Sequence, residues 1–249
     1  MSQHHVPSGP GRTHAIGIVA PFDLELDREL WRWLPDDVDL LMTRTPFIND
    51  VVTVEFAKEV SDTSAIARGT KDVTAGRVST VAYACTSGSF VSGRAAEADI
   101  TKTMLASGAT EAVTTSGALV EALQSLGVSR VIVATPYIAA LSEKLSEFLA
   151  EFDIQALENV SLGLCEEIWN VTYAETAAMI RAADRPDAEA VVISCTNLPT
   201  YDLIAPLEEE LGKPVISANQ ATIWASLKRI GKVPVGENQR LIGHSRVLH

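Results

Sequence analysis

A short apolar segment ending in a cysteine occurs twice in this chain, and it limits the folds open to it. The first copy, residues 78–84, runs into Cys85-Thr86-Ser87-Gly88; the second, residues 188–194, runs into Cys195-Thr196-Asn197-Leu198-Pro199. Each copy is short and largely apolar or β-branched, which reads as a strand buried on both faces of a parallel sheet. Each ends in Cys-Thr, then a small polar residue, then a breaker. In open α/β sheets the loops beyond the carboxyl ends of the strands build the ligand site. Two thiols at two equivalent strand ends therefore predict a pseudo-symmetric pair facing one substrate.

Around the repeat, strand and helix patterns alternate. Strands are predicted over 15–20, 38–45, 78–84, 112–115, 128–135, 154–160, 188–194 and 214–217. Helices are predicted over 24–34, over 54–76 with a break near Gly69, and over 93–107, closed by Gly108. Further helices are predicted over 118–126, N-capped by Ser116, and over 140–151, 173–183, 202–211 and 220–230. This order predicts an α/β fold of two pseudo-symmetric parallel-sheet halves with the active site in the cleft between them. The expected division is a flexible tail over 1–14, a first half over 15–120, a second half over 121–230 and a polar, irregular extension over 231–249. No Pro/Ser/Gly-rich linker marks the handover, so the halves are expected to be packed rather than tethered.

Composition narrows the function. The chain of 249 residues is 47% hydrophobic, ample for a full core, and its formal net charge of −12 argues against a nucleic-acid or anionic-membrane partner. A small anion remains open, because backbone N–H groups can make a pocket locally positive. No apolar run approaches the ~18 residues of a membrane span, and the polar first residues carry no export signal. The three cysteines, Cys85, Cys165 and Cys195, form an odd, sparse set that suits a reducing cytoplasm. The absence of CxxC, HExxH and clustered histidines gives a metal site no support.

A thiolate is a strong nucleophile, and a thiol is a usable acid. At strand ends each sits beside free backbone N–H groups that stabilise negative charge. Thr86, Ser87, Thr196 and the amide of Asn197 would bind carboxylate or enolate oxygens. An isolated cysteine is ordinarily an inert small apolar residue; the matched context of Cys85 and Cys195 reverses that reading. Cys165 lacks such context and is assigned to packing. Tyr137, after Pro136 at a strand's carboxyl end, is a further candidate. Arg44 and Arg94 read as solvated or structural. Trp31 and Trp33 read as packing residues near a domain or subunit contact, and Trp169 and Trp224 as core anchors. His14, His244 and His249 read as surface or satisfied histidines, and Glu208-Glu209-Glu210 as the solvated face of a helix.

Several segments together resemble the aspartate/glutamate racemase superfamily, in the branch of maleate cis–trans isomerases and arylmalonate decarboxylases. They are Val19-Ala20-Pro21, the run from Tyr83 through Cys85-Thr86-Ser87-Gly88 to Phe90, Thr115-Ser116-Gly117, Ala134-Thr135-Pro136-Tyr137, Ser161-Leu162-Gly163, Ser194-Cys195-Thr196-Asn197 and Gly212-Lys213-Pro214. The stretch Leu26-Asp27-Arg28-Glu29-Leu30-Trp31 also resembles the ectoine-utilisation proteins of that branch. The resemblance implies two pseudo-symmetric α/β halves, no metal or organic cofactor, and a small carboxylic acid as substrate. It implies Cys85 as nucleophile or base, Cys195 as acid or base, Tyr137 as a carboxylate ligand and Pro21 as part of the pocket floor. Arylmalonate decarboxylases lack the first cysteine and use the second as proton donor, yet share the Thr-Ser pair found here as Thr86-Ser87. The chain departs from maleate isomerases where Phe22-Asp23-Leu24 replaces a Ser/Asn-rich loop, and near Glu166-Glu167, where only Asn170 stands close to a family asparagine. The two departures together imply the loss of two ligands of a dicarboxylate and so speak against maleate, and Phe22 implies a larger or less charged substrate. Three functions stay open: a two-cysteine isomerase or racemase, a substituted-malonate decarboxylase, and a non-catalytic carboxylate-binding protein. Exposed apolar helix faces would also permit a homo-oligomer.

Overall fold

The structure is a computed structural model and describes residues 13–247. All but the last two residues of the expected tail, and His249, lie outside the described residues. The first half of the chain contains β1 (His14–Ala20), α1 (Asp27–Trp31), β2 (Val38–Arg44), α2 (Val54–Val60), α3 (Thr63–Thr74) and β3 (Thr80–Tyr83). It continues with α4 (Thr86–Phe90), α5 (Gly93–Ala106), β4 (Ala112–Thr114) and α6 (Thr115–Ser125). There follow β5 (Arg130–Thr135), α7 (Ala139–Ala150), β6 (Gln155–Ser161), a 3₁₀ turn at Ile168–Asn170 and α8 (Tyr173–Ala183). The chain closes with β7 (Ala190–Ile193), α9 (Tyr201–Leu211), β8 (Val215–Ser217), α10 (Ala218–Arg229) and α11 (Arg240–Val247).

The strands form two four-stranded sheets of the same order, β2-β1-β3-β4 and β6-β5-β7-β8. Every pairing is parallel. In each sheet the chain moves outward from its first strand and then crosses back to the other side. Strand order thus reverses between β1 and β3 and again between β5 and β7. A crevice forms outside the carboxyl ends of strands at such a point. The inner strands are apolar because helices cover them: Ile16, Ile18, Val81, Ala82, Val131, Ile132, Val191 and Val192 are fully buried. One apolar cluster joins both sheets. Helix α10 packs on α6, β3 and β4, with Thr222 hydrogen-bonded to Thr115 at 2.9 Å.

Local chemistry corrects several boundaries. The helix expected over 54–76 breaks at Asp62, whose carboxylate accepts from the backbone N–H groups of Ser64 and Ala65 and caps α3. Gly69 instead lies within α3, where a Cβ would stand 2.8 Å from Val19 Cγ1; its missing side chain lets the helix seat on β1. Helix α1 is shorter than the expected 24–34 because the chain turns after Trp31 to bury Trp33, whose indole donates to Gln239 Oε1 at 2.8 Å. Thr114, not Ser116, caps α6 by accepting from Gly117 N. Trp169 is only partly buried and belongs to a pocket wall, not to the core.

The expected irregular extension contains α11, which Leu241 and Ile242 anchor in the core with no exposure. Trp224 Nε1 donates to Ser245 Oγ at 2.5 Å, tying this helix to α10. Glu208, expected on a solvated face, is 2% exposed. Its carboxylate accepts from Val215 N at 2.9 Å and Arg240 N at 2.7 Å, closing β8 and α11 onto α9. Sequence periodicity could not show this, because the donors belong to elements that only the tertiary fold brings together.

Burial pushes the Glu208 carboxyl up to about 7. The unfolded chain releases that proton near the ordinary carboxyl value, so the folded state binds more protons between these two values. Stability from this group is therefore full at low pH and falls as pH rises towards about 7, by on the order of 3 kcal/mol. Urea denaturation at pH 5 and pH 8 should show this loss, and Glu208→Gln should flatten the difference. An unchanged slope in the variant would assign the pH dependence elsewhere.

Candidate active site

The carboxyl ends at the two reversal points converge. Pro21 follows β1, Cys85 follows β3, Tyr137 follows β5 and Cys195 follows β7. Together with Thr86, Ser87, Thr196 and Asn197 they line one narrow chamber of about 30 Å³. Every residue that the sequence singled out for the site is thus brought to one place. Asp23, Val52, Phe56 and Ile168 complete the wall. The same four residues and Asn197 also border a wider outer chamber of about 270 Å³, so the two spaces adjoin. The backbone N–H of Val52 donates to the Cys165 carbonyl at 2.9 Å, joining the loops that frame the outer chamber from the two sheets.

Cys85 stands in extended conformation at the N-cap of α4, 3.8 Å from Ser87 Oγ. Gly88 leaves room for it: a Cβ there would lie 2.4 Å from the Tyr83 hydroxyl and 3.2 Å from Cys85 Sγ. Ser89 Oγ lies 2.8 Å from the Cys85 carbonyl and 2.7 Å from Ser116 Oγ, and Ser116 Oγ lies 3.0 Å from the Thr86 carbonyl. The hydroxyl expected to cap α6 thus fixes the Cys85 loop instead. Thr86 Oγ1 is buried and has no hydrogen-bond partner among the described residues.

Cys195 adopts φ +94°. A side chain in the left-handed region costs on the order of 1–3 kcal/mol and persists only where the surroundings enforce it. Here the loop is tethered from several directions. The Asn197 amide accepts from Glu25 N at 2.8 Å and donates to the Asp23 carbonyl at 2.7 Å. Asn219 Nδ2 donates to the Thr196 carbonyl at 3.0 Å. Buried Glu29 accepts from Thr200 N at 3.0 Å and Thr200 Oγ1 at 2.7 Å. The Asn197 side chain, expected to hold substrate, is thus occupied in bonding the loop after β1, while its backbone N–H donates to Cys195 Sγ at 3.3 Å.

Burial pushes the Cys85 thiol up to about 11 and the Cys195 thiol to about 12, against the opposing pull of the Gly88 and Asn197 N–H groups. The Asp23 charge raises both further. Burial also raises Asp23 itself and holds the Tyr137 phenol well above its ordinary value. Both cysteines are therefore thiols at neutral pH. Ser194 Oγ donates to the Tyr137 hydroxyl at 3.5 Å.

Asp23, Val52, Phe56 and Ile168 were not legible as site residues, because they sit on loops or at helix ends that carry no chemical motif. Phe22-Asp23 as a departure from the maleate-isomerase pattern was the one available signal. Arg44 donates to the Leu24 and Phe22 carbonyls at 2.6 and 3.3 Å and so shapes the Asp23 loop. Arg94 bonds Glu151 and lies over the Phe152 ring, away from the site. Cys165 is half-buried on the outer chamber wall.

Fold and site define an α/β protein of two equivalent sheets whose paired reversal points enclose two thiols. The chain belongs to the arylmalonate decarboxylase family, whose sequence model matches residues 46–246. It is 34% identical to the arylmalonate decarboxylase of Bordetella bronchiseptica over 59% of this chain and 62% of that protein. It is 27% identical to a maleate isomerase of Alcaligenes faecalis over 62% of this chain and 64% of that protein. These alignments span just under two thirds of the relatives' lengths. A liganded arylmalonate decarboxylase variant, with one glycine changed to cysteine and one cysteine to serine, superposes with a TM-score of 0.84. It is 28% identical, over 92% of this chain and 98% of that one.

Removing the Asp23 charge should lower both buried thiols and raise their thiolate fractions. At pH 9, Asp23→Asn should speed iodoacetamide labelling of Cys85 and Cys195 several-fold, with Cys165 as internal reference. Equal rates in the two proteins would deny the coupling.

Proposed function

We propose that this protein is a cofactor-independent isomerase or racemase of a small carboxylic acid, with Cys85 and Cys195 as the reacting pair. The observation that carries this reading is the convergence of both thiols, from two equivalent strand ends, on one chamber. In an isomerisation, Cys85 loses its proton to solvent and adds as thiolate to one alkene carbon. The C–S bond forms as the π bond opens, charge passes into the carboxylate as an enediolate, and Cys195 protonates the neighbouring carbon. Rotation about the new single bond, return of the proton to Cys195 and expulsion of the Cys85 thiolate give the other isomer. In a racemisation one thiolate removes the α-proton and the opposite thiol delivers one to the other face. Thr86, Ser87, Thr196 and Tyr137 bind the carboxylate and enediolate oxygens, and Pro21 shapes the floor. Free thiols of this kind suit a reducing cytoplasm.

A second reading, decarboxylation of a substituted malonate, is favoured by the high Cys195 value and by the family match. The C–C bond to one carboxylate breaks, carbon dioxide leaves, and its bonding electrons remain as an enediolate. The Cys195 thiol protonates that carbon and regains its proton from water.

Maleate and phenylmalonate followed by NMR in deuterated water separate these readings. Cys85→Ser and Cys195→Ser should each lower isomerisation or α-proton exchange by about 10²–10⁴-fold. Carbon dioxide release that survives Cys85→Ser and needs Cys195 would move decarboxylation to first place. Turnover that persists in both variants would remove the thiols from the chemistry.

A further inference from the structure

The inner chamber, about 30 Å³, is much the smaller of the two adjoining spaces and cannot also enclose a long substituent. A larger acid can bring its carboxylate to the thiols only with its substituent in the adjoining outer chamber of about 270 Å³. That outer space has one-sided chemistry. Asp23, Asp50, Glu166 and Glu167 stand on its wall beside Phe56 and Trp169, and among the described residues no lysine or arginine lines it. Among the described residues, none of these carboxylates is in an ion pair. No group of His, Cys, Asp or Glu among those residues is arranged to hold a metal ion. At the inner end Thr86 Oγ1, 1% exposed, has no partner among them. The joined cavity thus offers an unused hydrogen-bonding hydroxyl at its buried end and spread negative charge with aromatic surface at its mouth.

We infer that the acid recognised here carries an organic cation of the ammonium type on its substituent, with the carboxylate at Thr86 and the cation in the outer chamber. This rests on the proposed two-thiol reading and adds the substrate class to it. Aromatic faces and carboxylates both attract an ammonium group, and a partly enclosed site strengthens each contact. A second carboxylate there would meet like charge from four side chains. Asp23, which borders both chambers, lies where it can distinguish the two kinds of substituent.

The test compares (3-ammoniopropyl)malonate with n-butylmalonate, which has a methyl in place of the ammonium. Both are titrated calorimetrically into the wild-type protein and a Glu166→Gln/Glu167→Gln variant at low salt, with carbon dioxide release and α-deuteration recorded in parallel. Both glutamates are exposed on their loop, so the variant should keep its fold, which thermal melting checks. The ammonium compound should bind about tenfold more tightly than the butyl compound. The variant should lose most of that preference while its affinity for butylmalonate does not fall. Equal affinities, a preference for the butyl compound, a preference that survives in the variant, or binding of neither compound at millimolar concentration would overturn the inference. Preferential binding without turnover would keep the ligand class and count against the catalytic reading. Turnover of both compounds with equal affinity would do the reverse.

Discussion

The site depends on a set of hydrogen bonds that lock the loop after β7 to the loop after β1. Cys195 cannot hold a positive φ by its own preference. Asn197 bonds the backbone of Asp23 and Glu25, Glu29 accepts from Thr200, and Asn219 donates to the Thr196 carbonyl. Each bond joins segments far apart in the chain, and all but the last span the two sheets. They keep the sulfur against the Asn197 N–H and fix how closely the two reversal points approach. The enclosed chamber follows from that closure as much as from the cysteines.

Closure also decides the chemistry. Removing both thiols from water raises them well above neutrality, and the carboxylate of Asp23 pushes in the same direction. A high value suits a proton donor to an enediolate, a strong base. It opposes a standing thiolate, so a nucleophilic Cys85 must lose its proton within the catalytic cycle. The enclosed site therefore holds both thiols protonated at neutral pH. The acid-lined outer chamber extends the same contrast, since it disfavours a second anionic group at the mouth.

Much of this was legible in the sequence because it is local. The β-branched runs ending in Cys-Thr marked β3 and β7 and the thiols beyond them. Pro136-Tyr137 marked the end of β5, and the repeated strand–helix order anticipated two parallel sheets. What escaped depends on long-range pairing. The amide of Asn197 looked free to bind substrate until the loop after β1 was placed against it. Glu208 looked solvated within an acidic run until β8 and α11 supplied donors. Gly69 looked like a helix break, whereas its missing Cβ answers Val19 across a helix–sheet contact. Asp23 drew notice only as a departure, because its meaning comes from the two thiols beside it.

The most direct test of a shared chamber is mutual hindrance. In a Cys165→Ser protein treated with iodoacetamide at pH 9, peptide and intact mass spectrometry give the labelling at Cys85 and Cys195. Both thiols line the same narrow chamber of about 30 Å³, so a label on either one should slow the second, and singly labelled native protein should accumulate with its label distributed over the two positions. Labelling of both thiols in folded protein with no build-up of the singly labelled species would contradict the account.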